Sequence, residues 1–433
     1  MDPVKPAEPP IAADVAPSPA LELGWPGRLF APRTGMLRAL RHRNYRLFWT
    51  GNFLSNIGTW MHQVALGWLV LEMTNSPFRL GLAGFAQWVP ALIFSLPAGV
   101  LADRLDRRRW LLLTQSVMMV LALALAVLVS FKLITFHQVL LIAFLFGVTS
   151  SVTAPAFQAM VRDLSSGEDI LNAIAMNSIQ FNSSRFIGPT IAGLLVSGVG
   201  LASCFYANAV SFLAPLVALS LVQYHPQPHP SAGSILEGLT EGVRYLRGHR
   251  RILLLITLVA MVSGFGLPYL IFLPVLARDV LQVGARGLGY LLSASGGGAL
   301  LGALLLASWP HERRRGPLVL AGTLALFGGV ILLALSQNLY LSLAAAVLTG
   351  GAVVCSVATV NSLIQTLVPD AVRGRVLSWH TMAYFGFSPL GSLLVGVLAD
   401  RWGTPTALAV TATGPLLVTV VLIFAVPWLR RLQ

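Results

Sequence analysis

The sequence predicts an all-α membrane protein of twelve transmembrane helices, arranged as two six-helix pseudo-repeats. Three observations carry that prediction: the composition, the spacing of the apolar runs, and the side on which the basic residues fall. Hydrophobic residues fill 56% of the 433 positions and charged residues 10%, with a mean hydropathy of +0.76. A soluble domain carries roughly 25% charged residues, so much of this surface must face lipid. Both cysteines, Cys204 and Cys355, lie within apolar runs, which argues against a disulfide framework or a cysteine-rich metal site. Neither a metal nor a cofactor is expected.

Residues 1–35 read as a disordered cytoplasmic tail: eight prolines fall in 1–33, and no apolar core of signal-peptide length is present. About 20 apolar residues cross the hydrocarbon. Such runs fall near 47–71, 80–101, 110–131, 138–160, 173–197 and 203–222, within an N-terminal bundle at 36–223. A polar stretch at 224–251, with Pro226, Pro228, Pro230 and four arginines, reads as a cytoplasmic linker. Six further runs, near 252–276, 288–308, 317–336, 340–366, 377–398 and 406–428, make a C-terminal bundle at 252–433.

Orientation follows from the Lys and Arg residues. With the N-terminus inside, the tail, the inner loops and the C-terminus hold 23 of the 29; the opposite face holds Arg79, Lys132, Arg278, Arg286 and Arg401, and Arg185 lies within a span. That bias places both termini in the cytoplasm of an inner-membrane protein, and the net charge of +13 needs no nucleic-acid partner to explain it. Gln158–Asp163 and Gln365–Asp370 close the fourth and tenth runs, and Pro189 and Pro389 sit alike in the fifth and eleventh. Matching features at corresponding places are what a parallel repeat predicts.

The loop after the second run reads Gly99-Val-Leu-Ala-Asp103-Arg104-Leu-Asp106-Arg107-Arg108-Arg109. A glycine there permits close helix approach, an acid can face the N-terminus of a neighbouring helix, and the arginines can pair with acids across the cytoplasmic mouth. The alternatives are a conformational latch built from Gly99, Asp103, Arg104, Arg107 and Arg108, or a solvated basic loop. The string resembles the signature loop of the major facilitator superfamily, with Asp106 where glycine is usual. The branch of enterobactin exporters and transmembrane secretion effectors tolerates an acid there, and Leu40–Trp49, Gly58–Met61 and Asn172–Ser178 resemble that branch too. The likeness covers roughly 36–428 and implies a secondary transporter working by alternating access. Gly396–Arg401 is a near copy of the loop on the opposite face, read as a solvated helix end rather than a second latch.

In the fifth run, Ser184–Gly193 is similar to the fifth-helix motif of major facilitator antiporters, with Arg185, Gly188, Pro189 and Gly193 in place and Ser184 and Ala192 replacing glycines. The resemblance implies export; tight helix packing is the competing explanation. Arg185 is costly at mid-depth unless it meets a partner or a wet cavity, so it either binds an anionic substrate group or anchors a helix. His62 can carry a proton near neutral pH or serve as a hydrogen-bonded wall residue. Gln63 and Asn361 join them as substrate or proton candidates. No Asp or Glu falls near the centre of a run, which leaves the coupling of a proton open. Aromatic residues such as Trp60, Trp88 and Tyr384 either wall a pocket or pack helices.

A small amphipathic or siderophore-like substrate moving outward through a monomer is the leading expectation. An importer of a polar metabolite is the alternative, with a non-transporting membrane protein behind it. An intramembrane enzyme on lipid-linked substrates would want an acidic metal cluster, and ATP-driven pumping a P-loop. The sequence shows neither.

Overall fold

Hydrocarbon offers the backbone no hydrogen-bond partner, so a crossing segment satisfies its own groups as a helix. The computed structural model describes residues 37–165, 167–224, 235–309 and 314–432; side chains at 95–96, 99–104, 168, 235–241, 371 and 431 lie outside that description. The expected tail at 1–35 and the 225–234 part of the expected linker also lie outside the described residues. Thirteen helices occur among those described. They are α1 (Arg43–Thr74), α2 (Pro77–Arg104), α3 (Arg107–Ser130), α4 (Phe136–Asp163), α5 (Ile170–Gly198), α6 (Leu201–Leu221) and α7 (Ile235–Gly248). Then follow α8 (Arg250–Val280), α9 (Gly284–Ser308), α10 (Gly316–Leu335), α11 (Leu339–Leu367), α12 (Asp370–Trp402) and α13 (Thr404–Ala425).

Local chemistry sets the ends. Asn75 takes a left-handed conformation (φ 48°) that stops α1. The Asp106 carboxylate accepts from the Arg108 and Arg109 amides to start α3, and Thr135 with Gln138 forms a capping box at α4. Short connections reverse the chain after each long helix. The end where α1 begins is called the tail end below, and the end where α1 stops, the far end.

Among the described residues nine helices are long and apolar enough to cross a membrane: α3, α4, α6 and α8–α13. The others that were expected to cross, α1, α2 and α5, are 32, 28 and 29 residues long, ample for the roughly 30 Å of hydrocarbon. α1 and α5 carry more polar side chains than their neighbours, among them Gln63, Asn177, Gln180 and Arg185. Within the expected linker lies α7, packed on α12 so closely that a Cβ on Gly242 would stand 2.7 Å from the Trp379 ring.

The helices before α7 meet those after it chiefly along two pairs, α5 with α9 and α2 with α12. Small residues make this possible, because backbones can touch only where no side chain intervenes. A Cβ on Gly289 would stand 2.6 Å from the Pro189 carbonyl oxygen, and one on Gly296 2.6 Å from that of Arg185. A Cβ on Gly81 would stand 2.5 Å from the Ser392 carbonyl oxygen, and one on Gly386 2.7 Å from the Leu92 side chain. All these approaches lie between mid-length and the far end. Toward the tail end Leu171 and Ile174 of α5 and Leu304 and Leu305 of α9 are exposed.

α8 is irregular where its glycines and prolines fall. Val262–Gly266 and Leu276–Val280 are π-helical turns, and Leu267 N–H donates to the Val262 carbonyl at 3.1 Å. Pro268 has no amide hydrogen to offer the preceding turn, a common cause of such a break.

The Gly289→Val substitution forces its side chain onto the Pro189 backbone. We expect it to cost about 1–3 kcal/mol, seen as a lower unfolding midpoint in detergent, while Gly328→Ala, where a Cβ meets open space, leaves the midpoint unchanged.

Candidate functional site

A cavity of about 320 Å³ lies between the two groups of helices at mid-length. Trp60, Gln63 and Val64 of α1, Gln87 and Trp88 of α2, Phe181 and Arg185 of α5, Leu270 and Ile271 of α8, and Tyr384, Phe385 and Ser388 of α12 are among its lining residues. Arg185 is the one charged side chain among the described lining residues. Its Nη2 donates to Ser295 Oγ at 3.3 Å, and its guanidinium sits 5.8 Å from the centre of the Trp60 ring. Ser295 Oγ shares a 2.8 Å hydrogen bond with Tyr269 Oη, which accepts from Thr349 Oγ1 at 3.2 Å. Arg185 therefore reaches from α5 into a polar chain that runs through α9, α8 and α11. Among the described residues it has no carboxylate partner.

Nearby hydrogen bonds close the α5–α9 seam: Ser293 Oγ donates to the Phe186 carbonyl and accepts from Thr190 Oγ1, each at 2.7 Å. At the far end two polar clasps join the groups. The Asp400 carboxylate, at the end of α12, accepts from the Phe78 amide at 3.0 Å and from Ser76 Oγ at 3.3 Å, capping the N-terminus of α2. Arg278 of α8 donates to the Leu71 carbonyl at 3.2 Å and to Asn75 Oδ1, both at the end of α1. Gly396–Arg401 is an exposed helix end, as expected, and its acid also bridges the groups. The bridge was not foreseen because the partner, the start of α2, lies more than 300 residues away in sequence.

Residues 34–431 match the family of transmembrane secretion effectors of the major facilitator type. The chain belongs to that family. This secretion effector is 30% identical to the staphyloferrin A transporter of Staphylococcus aureus over 88% of its own length and 95% of the other's. It is 27% identical to the enterobactin exporter EntS of Shigella flexneri, over 90% and 94% of the two chains. Its fold resembles that of the nucleoside transporter NupG, with a TM-score of 0.74 at 12% identity over 88% and 98% of the two chains. A bacterial homologue of the human lysosomal transporter Spinster gives 0.68 at 16%, over 90% and 96%. At such identities these structures speak for the fold alone. The secretion effector is a multi-pass secondary transporter in a family whose relatives are transporters, not enzymes.

The structure distributes the sequence-predicted residues unevenly. Gln63, Arg185 and Pro189 line the cavity. Gly188 faces the other way, where a Cβ would stand 2.6 Å from Trp60 Cβ of α1, and Gly193 lies against Gly289 and Ala285 of α9. The fifth-helix motif thus lets α5 press on a neighbour in each group. His62, one residue from Gln63, points elsewhere: its ring lies 4.9 Å from Phe146 and 5.1 Å from Phe205, away from the lining residues. Asn361 accepts from Gln365 at 2.6 Å near the tail end of α11 and is not in the lining either.

Of the expected latch, the side chains of Gly99, Asp103 and Arg104 lie outside the described residues. Arg107 and Arg108 are engaged within the first group of helices. Arg107 Nη1 pairs with Asp163 at 2.6 Å, both side chains under 10% exposed, and Arg108 donates to the Leu219 and Ser220 carbonyls at 2.7 and 2.8 Å. Tyr224 Oη donates to the same Asp163 carboxylate at 2.9 Å. Burial, reinforced by that carboxylate, pushes the Tyr224 phenol up to about 12, so it stays a donor at neutral pH. The sequence reading had Tyr269 only as an aromatic that walls a pocket or packs helices, and it missed Ser295 and Thr349; the three hydroxyls stand singly in apolar runs and become a chain only through helix contact.

Asp400→Ala removes the cap on α2 but leaves the seam intact. It should weaken far-end closure by about 1–2 kcal/mol, widening spin-label distances between the far ends of α2 and α12; Asp400→Asn, which can still cap, should shift them less. Arg107→Ala leaves a buried carboxylate unpaired and should cost about 3–5 kcal/mol, measured as a fall in the unfolding midpoint.

Proposed function

We propose that this secretion effector exports an amphipathic, anionic, siderophore-like molecule by alternating access, with Arg185 as the anchor for its anionic group. One observation carries the reading: a guanidinium at mid-depth, in a cavity whose other described walls are apolar, aromatic, amide and hydroxyl groups, with no carboxylate beside it among the described residues. A hydroxyl and an aromatic face return about 0.5–2 kcal/mol each, against a desolvation cost of several kcal/mol for a buried ion. An anionic cargo supplies the missing charge, and Trp60, Trp88, Phe181, Tyr384 and Phe385 offer faces to its rings or chains. The names of the relatives, a staphyloferrin A transporter and an enterobactin exporter, fit cargo of this kind.

In this reading α1–α6 and α8–α13 are twelve spans in two six-helix repeats, and the chain works as a monomer in the inner membrane. The arginine bias puts the tail end, with both termini, in the cytoplasm, so the clasps at the far end face outward. Far-end closure then corresponds to a state that loads from inside. Cargo bound to Arg185 competes with Ser295 and so loosens the polar chain that ties α5 to the second group. Proton antiport is the coupling mode assigned here; it leaves His62 the task of taking a proton while sealed from the cavity, or passes that task to the cargo itself.

Liposome flux tests both parts. With an imposed proton gradient, Arg185→Gln should lower flux of an anionic catecholate or carboxylate cargo roughly 10- to 100-fold, as expected for losing a charge-assisted contact of about 1.5–3 kcal/mol, while an uncharged aromatic cargo is little changed. Equal loss for every cargo in a folded variant would make Arg185 a structural residue and end the substrate reading.

A further inference from the structure

A second hollow, of about 830 Å³, lies outside the central cavity between α7, α8 and α12, with Leu92 of α2 at its edge. Its walls are almost wholly apolar, and Leu253, Phe387 and Leu390 among them are roughly half exposed. From Leu253 to Phe265 the α8 wall rises ~18 Å, about half the ~30 Å of hydrocarbon, starting from the tail end. The hollow therefore spans one leaflet and no more. Arg247 is the one charged group among its described lining residues, and it stands at the tail-end mouth. Arg244, one turn earlier on α7, and Arg250, at the start of α8, are exposed beside it. None of the three has a hydrogen-bond or ion-pair partner among the described residues.

We infer that this groove binds a phospholipid with an anionic headgroup from the tail-end leaflet. An acyl chain fills the apolar trough, and the uncompensated negative charge of the headgroup phosphate lies between Arg247 and Arg244. A zwitterionic lipid can fill the same trough but leaves the guanidinium charges less well matched, and basic residues at an anionic surface gain about 1 kcal/mol each. Position gives the lipid a consequence for transport. The Leu92 side chain that edges the groove also packs against Gly386 of α12 across the α2–α12 seam. The occupied groove thus touches both groups of helices, and its occupancy depends on how they are set. The inference does not rest on the cargo assigned above, since it concerns a separate hollow with its own charges.

The full chain in phosphatidylcholine nanodiscs, titrated with phosphatidylglycerol and read by native mass spectrometry, tests it. We expect a retained phosphatidylglycerol adduct and a rise in unfolding midpoint that equal phosphatidylcholine does not produce. Arg244→Gln with Arg247→Gln, both on the exposed surface, should weaken the adduct roughly thirty-fold at low salt. Ala260→Trp, which fills the trough and leaves every charge in place, should weaken it as well. Equal retention of the two lipids by the wild-type chain overturns the proposal. Full phosphatidylglycerol binding by Ala260→Trp does so too, because it would mean a film of lipid drawn to surface charge. Displacement of the lipid by an anionic catecholate that Arg185→Gln still permits would assign the groove to cargo instead.

Discussion

Two sets of helices that must slide past one another in oil can be held together only where their backbones approach, because oil supplies no hydrophobic drive between them. In this chain that approach is made by glycines. Gly289 and Gly296 bring α9 onto α5, and Gly81 and Gly396 bring α2 and α12 together. Everything else at the interface is placed by those contacts. They bring Ser293 within reach of Thr190 and the Phe186 carbonyl, set Asp400 over the start of α2, and hold Arg185 where it can touch Ser295.

The polar groups along this seam differ in what they commit. Hydroxyl-to-carbonyl bonds between α5 and α9 are net contributions of about 1 kcal/mol each and can be exchanged for others when the helices move. The buried Arg107–Asp163 pair, supported by Tyr224, belongs to one set of helices and locks α3 to α4 whatever the other set does. Arg185 is of neither kind. It is charged, central and only partly satisfied, which makes the seam at that depth sensitive to what occupies the cavity.

Much of the architecture was legible because it follows from bulk transfer energetics. Runs of about 20 apolar residues needed no tertiary knowledge, and each expected run falls largely within a helix. Arg185 was legible as well, since a lone charge at mid-depth is conspicuous in any sequence. Which way a neighbour points is a different matter. His62 and Gln63 are adjacent, yet one side chain lies among Phe146 and Phe205 and the other in the cavity lining. The polar chain of Tyr269, Ser295 and Thr349 is assembled from three helices and leaves no local pattern. The role of Asp400 was hidden for the same reason, although its hexapeptide Gly396–Arg401 repeats Gly99–Arg104 letter for letter.

The two π turns of α8 alter the phase of that helix. Each wide turn takes one residue beyond the regular count, which rotates all that follows by about 100° relative to an unbroken α-helix. A helical wheel drawn from Arg250 onward therefore assigns Tyr269 to one flank and Arg278 to another, while the real chain delivers the first to Ser295 and the second to the end of α1. Substitutions chosen on α8 by a fixed 3.6-residue period would strike the wrong face beyond Gly266.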